Sequence, residues 1–208
     1  ITAKQYHEKL SPEYIRYYFA GKLNDGVGDM DLAWEDFIQR CNSDLIGKVV
    51  NIGSRCAGFI HKHFQGKTAG ALESEKLFST LSAAQEAIGE AYDRKQFSAA
   101  VRQIIQLADV VNQYIDQQKP WVMIKEDGQK EHVHRVCTSA LTAFHQLMIY
   151  LSPVLPETAE KTASFFSRNT LSWQALEEPL LDVHITPFPR MLERITKEDC
   201  PMDQAESV

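Results

Sequence analysis

Apolar residues recur along most of the chain at intervals of three and four, the spacing that places side chains on one face of an α-helix. The longest run covers about seven turns and should end near Gly66. Its apolar positions are Trp34, Ile38, Cys41, Leu45, Val49, Ile52, Cys56 and Phe59. We therefore expect one long helix that buries a continuous stripe.

Several shorter segments show the same periodicity and are separated by turn-forming residues. Ser11 and Pro12 are typical of a helix start, and residues 24–29 form a turn-rich break. Further helices are predicted at about residues 74–92 and 97–119, from Val133 to Pro153, and from Pro156 to Phe166. Prolines limit the rest to short pieces. The sequence predicts an all-α fold, an antiparallel helix bundle with a small N-terminal element.

Composition limits the class of protein and the cellular compartment in which such a bundle is expected. The hydrophobic fraction, 44%, is sufficient for a buried core, and no apolar run approaches the roughly 18 residues of a membrane span. The four cysteines lack the spacing of a metal site or a secreted disulfide framework. The first residues include neither a Met nor a signal-peptide pattern. We expect a cytoplasmic segment of a longer chain, with no membrane partner.

The charge is distributed unevenly. The net charge is -6, but residues 45–72 contain four basic residues and no Asp or Glu, so the other 180 residues carry -10. An acidic protein with one basic element is compatible with a local RNA contact rather than with coating a polyanion.

The sequence contains no convincing catalytic or metal-binding set. Gly66, Lys67 and Thr68 end like a phosphate-binding loop, but the glycine required at position 61 is a histidine. His132 and His134 are two residues apart, which puts them on different faces of a helix. We predict no catalytic residue and no metal site.

A polar stripe beside the apolar one is the main candidate site. Lys48, Asn51, Arg55, Gly58 and Lys62 recur at intervals of three and four on the long helix. Asn51 and Arg55 lie one turn apart, and an amide with a guanidinium suits reading of a base edge. A polar stripe is more often simply a solvated helix face.

Trp121 follows Pro120 at a predicted chain break, where an aromatic ring need not be buried. Such a ring can stack on an unpaired RNA base. The alternative is a core tryptophan that fixes the bend and donates its indole N–H to a nearby carbonyl.

The residues themselves resemble a known family. Residues 42–60, NSDLIGKVVNIGSRCAGFI, closely resemble the first long helix of the methionyl-tRNA synthetase anticodon-binding domain. LSPEYIRYY, at residues 10–18, resembles the segment after that family's KMSKS loop, and Lys119-Pro120-Trp121 resembles its tryptophan motif. The resemblance runs in order over about residues 1–190.

The resemblance implies roles for individual residues. Asn51 and Arg55 are expected to hydrogen-bond the cytosine that opens the CAU anticodon of methionine tRNA, and Trp121 to stack against it. Lys48 and Lys62 are candidate RNA-backbone contacts on geometry and charge alone. Residues 1–30 would be a connector from the stem-contact fold, residues 31–195 the bundle, and residues 196–208 a linker.

The resemblance also implies a longer parent, a class I methionine–tRNA ligase that uses ATP and Mg²⁺ in its catalytic domain. Neither the HIGH nor the KMSKS sequence occurs here, so this segment should be inactive alone and hold no cofactor. Its expected partners are methionine tRNA and the parent's own catalytic domain, without DNA. Two alternatives stay open: the helical domain of another class I synthetase, or a helical protein-interaction module that does not bind RNA.

Overall fold

The computed structural model describes residues 3–23 and 32–201, so the predicted turn at residues 24–29 lies outside the described residues. The α-helices of the described part are α1 (Ala3–His7), α2 (Pro12–Ala20), α3 (Trp34–Arg40), α4 (Asn51–Phe64), α5 (Glu75–Ser82), α6 (Gln85–Asp93), α7 (Phe97–Gln118), α8 (Pro120–Met123), α9 (Lys130–Leu151) and α10 (Pro156–Phe165). A π-helical segment (Cys41–Val50) joins α3 to α4, and two short 3₁₀ helices (Trp173–Glu177 and Lys197–Asp199) follow α10. The predicted all-α fold is confirmed.

The long helix forms as predicted, but its middle third is wider than an α-helix. The buried positions of the π-helical segment, Cys41, Leu45 and Val49, are four residues apart, which suits its wider turns. The helix ends where Gln65 adopts a left-handed conformation, with φ 55°, and its N–H donates to the carbonyl of Ile60. α3, the π-helical segment and α4 therefore form one continuous rod from Trp34 to Phe64.

The helix predicted over residues 74–92 is interrupted, and α5 and α6 are separate helices. Ser74 caps α5 by accepting a hydrogen bond from the N–H of Leu77. At the far end the Ser82 hydroxyl contacts the carbonyls of Phe78 and Leu176. A serine that bonds to the backbone competes with helix continuation, which accounts for a break that periodicity does not reveal.

Helix α9 is the central element of the bundle. Every residue from Val136 to Leu151 is buried, although its sequence predicts one apolar stripe. Two buried polar residues of α9 bind neighbouring loops: Thr138 Oγ1 accepts the N–H of Ala69, and Ser139 Oγ accepts the N–H of Glu73. A helix surrounded on all sides needs such partners, because a buried polar group without a hydrogen bond is costly.

The helix directions agree with an up-and-down bundle. Lys48 pairs with Asp109, and Arg55, two turns further along the rod, pairs with Asp116, two turns further along α7. The rod and α7 therefore run parallel, as the first and third members of such a bundle do. The Phe64 ring stacks on the His134 ring near the start of α9, which therefore runs antiparallel to α4.

Helix α2 is joined to the bundle by buried polar contacts. The Glu13 carboxylate accepts hydrogen bonds from the N–H groups of Glu157 and Thr158, at 2.7 and 3.1 Å, at the first turn of α10. Arg16 donates to the carbonyls of Pro153 and Val154. The carboxylate thereby caps α10 from a distant part of the chain.

The last described residues also contact the bundle. Lys197 pairs with Glu35 of α3 at 2.7 Å, and Cys200 is buried. The domain boundaries at residues 30 and 195 remain predictions. Across residues 3–23 and 32–201, none of the helices has the length and apolar character needed to cross a lipid bilayer.

Candidate nucleic-acid interface

The turn between α7 and α8 positions Trp121. Helix α7 ends at Gln118, and Lys119 adopts a left-handed conformation with φ 45°. Pro120 then begins α8 and is buried. A proline is favoured in the first turn of a helix, and it disfavours helical backbone in the residue before it, so α7 and α8 are separated at Lys119. The short α8 packs against α9. The half-buried Trp121 ring faces α4, where it contacts Arg55.

An open cleft of 620 Å³ lies between α4 and α8. We call it the Trp121 cleft. Its lining residues are Arg55, Gly58, Phe59, Lys62, His63, Trp121, Ile124 and Lys125. The lining combines aromatic rings with cationic side chains, the combination that proteins use to bind unpaired nucleotides.

Arg55 and Trp121 contact each other inside the cleft. The guanidinium carbon of Arg55 lies over the indole ring, 4.7 Å from its centroid, within cation–π distance. The guanidinium also lies 3.8 Å from the carboxylate of Asp116, which is 65% exposed. This long, solvated ion pair orients Arg55 weakly. The N–H groups of Arg55 are therefore available to a planar ligand.

The other predicted positions differ in their surroundings. Lys62 is exposed and lines the cleft, whereas Lys48 contacts both carboxylate oxygens of Asp109, at 2.8 and 2.9 Å. Asn51 is half-buried one turn before Arg55 and is not among the lining residues. The structure thus brings Arg55, Lys62 and Trp121 together, whereas Asn51 and Lys48 lie earlier on the same rod.

Several lining residues were not predicted as site residues. Phe59 belongs to the apolar stripe by spacing, but it is half-buried and its ring stacks on His63, with centroids 6.0 Å apart. Ile124 and Lys125 follow Trp121 closely. The ion-pair partners of Lys48 and Arg55 could have been found from the sequence, because Asp109 and Asp116 have the same two-turn spacing as Lys48 and Arg55.

The chemistry of the cleft suits a flat, negatively charged ligand. The cleft presents ring faces, guanidinium and ammonium groups, and contains neither a carboxylate nor a thiol among its lining residues. Within the described part of the chain, no group of three or more His, Cys, Asp or Glu residues is arranged to hold a metal ion. Flat aromatic surfaces beside fixed donors fit an unstacked base.

Comparison with known proteins agrees with this picture. Residues 1–57 match the family model "tRNA synthetases class I (M)", and residues 75–205 match "Anticodon-binding domain of tRNA ligase". The methionine–tRNA ligases of two Acidithiobacillus ferrooxidans strains are 48% identical over 198 residues, which cover 95% of this chain and 29% of each relative. The chain therefore spans less than a third of the length of these curated relatives.

Solved structures share the fold. Mycobacterium tuberculosis methionyl-tRNA synthetase in its free state superposes with a TM-score of 0.83, at 21% identity, over 91% of this chain and 40% of that one. The same enzyme bound by methionyl-adenylate gives 0.78, at 22% identity, over 88% of this chain and 38% of that one. The alternative of another class I synthetase is not supported, and the chain belongs to the methionyl-tRNA synthetase family, within which it forms the anticodon-binding domain.

Proposed function

We propose that the Trp121 cleft reads the first base of the CAU anticodon of methionine tRNA. The contact that supports the proposal best is Arg55 over the indole of Trp121, because it places planar donors beside a stacking surface. A cytosine stacked there would receive hydrogen bonds from Arg55 and, one turn earlier on the rod, from Asn51. A guanidinium and an amide together can match a pyrimidine edge that carries both acceptors and a donor.

Lys62 would contribute a phosphate contact at the exposed side of the cleft. Lys48 is a weaker candidate for this role, since its charge is already paired with Asp109. The affinity of the domain should therefore depend on few phosphates, in keeping with a net charge of -6.

The parent protein would be a cytoplasmic methionine–tRNA ligase, whose catalytic domain attaches methionine to tRNA with ATP and Mg²⁺. In that protein the present domain would supply recognition, and catalysis would lie outside it. This division predicts that the domain binds an anticodon loop without any nucleotide cofactor and has no aminoacylation activity alone.

A fluorescence titration tests the assignment. The domain is titrated at low salt with a stem-loop that carries CAU and with one in which uracil replaces the cytosine. We expect quenching by the CAU loop, five- to 150-fold weaker binding of the variant, and loss of the signal in Trp121→Phe, since stacking and a base-edge contact are each worth about 1–3 kcal/mol.

Trp34 and Trp173 supply the background signal, which the Trp121→Phe variant measures. Arg55→Ala should reduce the difference in affinity between the two loops, and the double variant Asn51→Ala/Arg55→Ala should bind them equally, because that difference depends on the base-edge contacts of both side chains. Equal binding of both loops by the unmodified domain would contradict the proposal. A protein-interaction module without RNA affinity would bind neither loop.

A further inference from the structure

The two side chains assigned to the base edge lie directly after the π-helical segment. Asn51 begins α4, and Arg55 follows one turn later. The N–H of Asn51 donates to the carbonyl of Ile46, five residues back, which is the hydrogen bond of a π-helix. π-helical turns are rare, and they occur frequently at functional sites. Here the change from π-helix to α-helix takes place at the first of the two recognition residues.

The π-helical segment determines the direction in which the Arg55 side chain points. Cys41, Leu45 and Val49 are each at most 1% exposed, so all three side chains face the core. In an α-helix four residues turn through about 400°, so the two steps between these positions would add a rotation of about 80°. The wider turns of the segment remove this rotation. An α-helical segment packed through Cys41 would therefore point Arg55 about 80° away from its present direction.

Asn112 of α7 holds the last turn of the segment. Its amide nitrogen donates to the carbonyl of Lys48 at 3.3 Å, and to the carbonyl of Ala108, on its own helix, at 2.9 Å. An amide nitrogen carries two hydrogens, so it can serve both acceptors. The ammonium group of Lys48 binds Asp109, three residues before Asn112 on α7. Helix α7 therefore fixes Lys48 at its backbone and at its side chain, three residues before Asn51.

The Asn112 contact favours the π-helical form of this turn. Rewinding the segment to an α-helix would turn the Lys48 carbonyl away from α7 and break the bond, because the rotation between the two forms is large. The start of the segment is held separately. There the side chain of Asn42 pairs with the backbone of Ile195, donating to its carbonyl at 2.7 Å and accepting its N–H at 2.9 Å. The two ends are thus held by different amides, and Asn112 is the one beside the recognition residues.

We propose that Asn112 is a positioning residue for base recognition, because its bond to the carbonyl of Lys48 keeps the last turn π-helical and so fixes the direction of Arg55. Asn51, at the junction itself, is fixed in the same way. Asn112 is half-buried and is not among the residues that line the Trp121 cleft, so it acts through these side chains and not on the base. The inference rests on the proposed function and adds to it a residue that sets its specificity.

Replacement of two neighbouring amides on α7 tests this role. Asn112→Ala removes the donor, and Gln113→Ala is the matched control, since Gln113 is an exposed amide next to it on the same helix. Asn42→Ala is a second control, which breaks the hydrogen bonds at the start of the π-helical segment. Affinities are measured by fluorescence anisotropy for labelled stem-loops with CAU and with uracil in the first position. Amide hydrogen exchange and thermal unfolding are recorded for each variant.

We expect Asn112→Ala to lower the ratio of the two affinities at least about threefold, the effect of one lost or misplaced hydrogen bond. The change should come from weaker binding of the CAU loop, because the uracil loop makes fewer base-edge contacts. Amide hydrogen exchange of residues 46–55 should become faster. Gln113→Ala should leave all three measurements unchanged. Asn42→Ala should unfold at a lower temperature yet keep the ratio, which separates a loss of stability from a change in the direction of Arg55.

An unchanged ratio in Asn112→Ala, with discrimination intact in the unmodified domain, would overturn the positioning role and leave the proposed function standing. An equal fall of the ratio in Gln113→Ala or in Asn42→Ala would also overturn it, since the effect would not depend on the contact between Asn112 and Lys48. Equal binding of both loops by the unmodified domain would instead refute the proposed function, and the inference with it.

Discussion

Glu13 and Arg55 are both charged residues that reach from one helix to another, but they differ in how far their partners satisfy them. Glu13 is 2% exposed, and its carboxylate accepts hydrogen bonds from two backbone N–H groups and from the Thr158 hydroxyl. The Arg55 side chain is 34% exposed, with an aromatic ring and one carboxylate at 3.8 Å. A buried charge must be satisfied within the protein, whereas a half-exposed one can keep donors for a ligand.

The same contrast extends to neutral polar groups. On α9, Thr142 Oγ1 accepts the N–H of Leu180, and the amide nitrogen of Gln146 donates to Ser82 and Leu176. These hydrogen bonds join α9 to other segments of the same chain. Polar groups of the interior therefore fix the shape of the bundle, and those of the Trp121 cleft give that shape a binding surface.

The largest expected effect is on stability and comes from removing the buried carboxylate of Glu13. Glu13→Ala leaves the first N–H groups of α10 buried without their acceptor, and each such donor costs about 1–3 kcal/mol. We expect the free energy of unfolding to fall by about 3–5 kcal/mol. Urea denaturation measures the change.

Glu160→Ala is the control for Glu13→Ala, because Glu160 is an exposed carboxylate on α10. It should change stability by less than about 0.5 kcal/mol. Base discrimination of the folded Glu13→Ala protein should stay intact, since the cleft lies on other helices. A stability loss below about 1 kcal/mol would show that the carboxylate is not essential to the joint between α2 and α10.

A second prediction concerns His145, which is completely buried and whose ring nitrogens have no hydrogen-bond partner among the described residues. Burial, with a smaller contribution from the charge of Arg168, lowers the pKa of His145 to about 3. In the unfolded chain its pKa is near 6.5, so between these values the unfolded state binds more protons. Stability should therefore fall as the pH drops below about 6.5.

The His145→Leu variant isolates this effect. Its stability advantage over the unmodified domain should grow by up to about 2.5 kcal/mol between pH 6.5 and 4.5, at most about 1.4 kcal/mol per pH unit. Urea titrations at several pH values measure it, with the exposed His7→Leu as control. Parallel pH profiles for His145→Leu and the unmodified domain would show that His145 does not resist protonation.

Much of the fold could be predicted because its information is local. The Ser11 cap, the break at Pro120 and the buried central positions of the rod, from Cys41 to Cys56, follow from spacing and backbone chemistry, whereas Trp34, Ile38 and Phe59 of the predicted stripe are half-buried. The split of α5 from α6 and the complete burial of α9 could not, since both depend on elements distant in the chain. Ser82 meets Leu176, and Thr138 meets Ala69, only after folding.

The candidate site shows the same limit. The spacing of Arg55 and Lys62 predicts a shared helix face, but it cannot show that Trp121 would close a cleft over them. Nor does it show that Phe59 is only half-buried and lines the cleft, or that Asp109 neutralises Lys48. Helix periodicity assigns faces, and the partner of each face is set by tertiary packing.

The smallest expected effect separates two lysines that the sequence treats alike. Lys62 has no ion pair among the described residues, whereas Lys48 is paired with Asp109, so a phosphate at Lys48 must compete with a carboxylate. Lys62→Ala should weaken the binding of every loop, and the loss of affinity relative to the unmodified domain should be about two- to threefold larger at 50 mM than at 200 mM salt. The magnitude of the slope of log affinity against log salt should fall by about 0.7, the value expected for one phosphate contact. Lys48→Ala should change that slope by less than half as much, and discrimination between cytosine and uracil should survive in both. Anisotropy titrations across a salt series measure the slopes. Equal slopes for the two variants would mean that the ion pair with Asp109 opens at no cost when RNA binds, and the distinction between satisfied and available charges would then fail at the edge of the cleft.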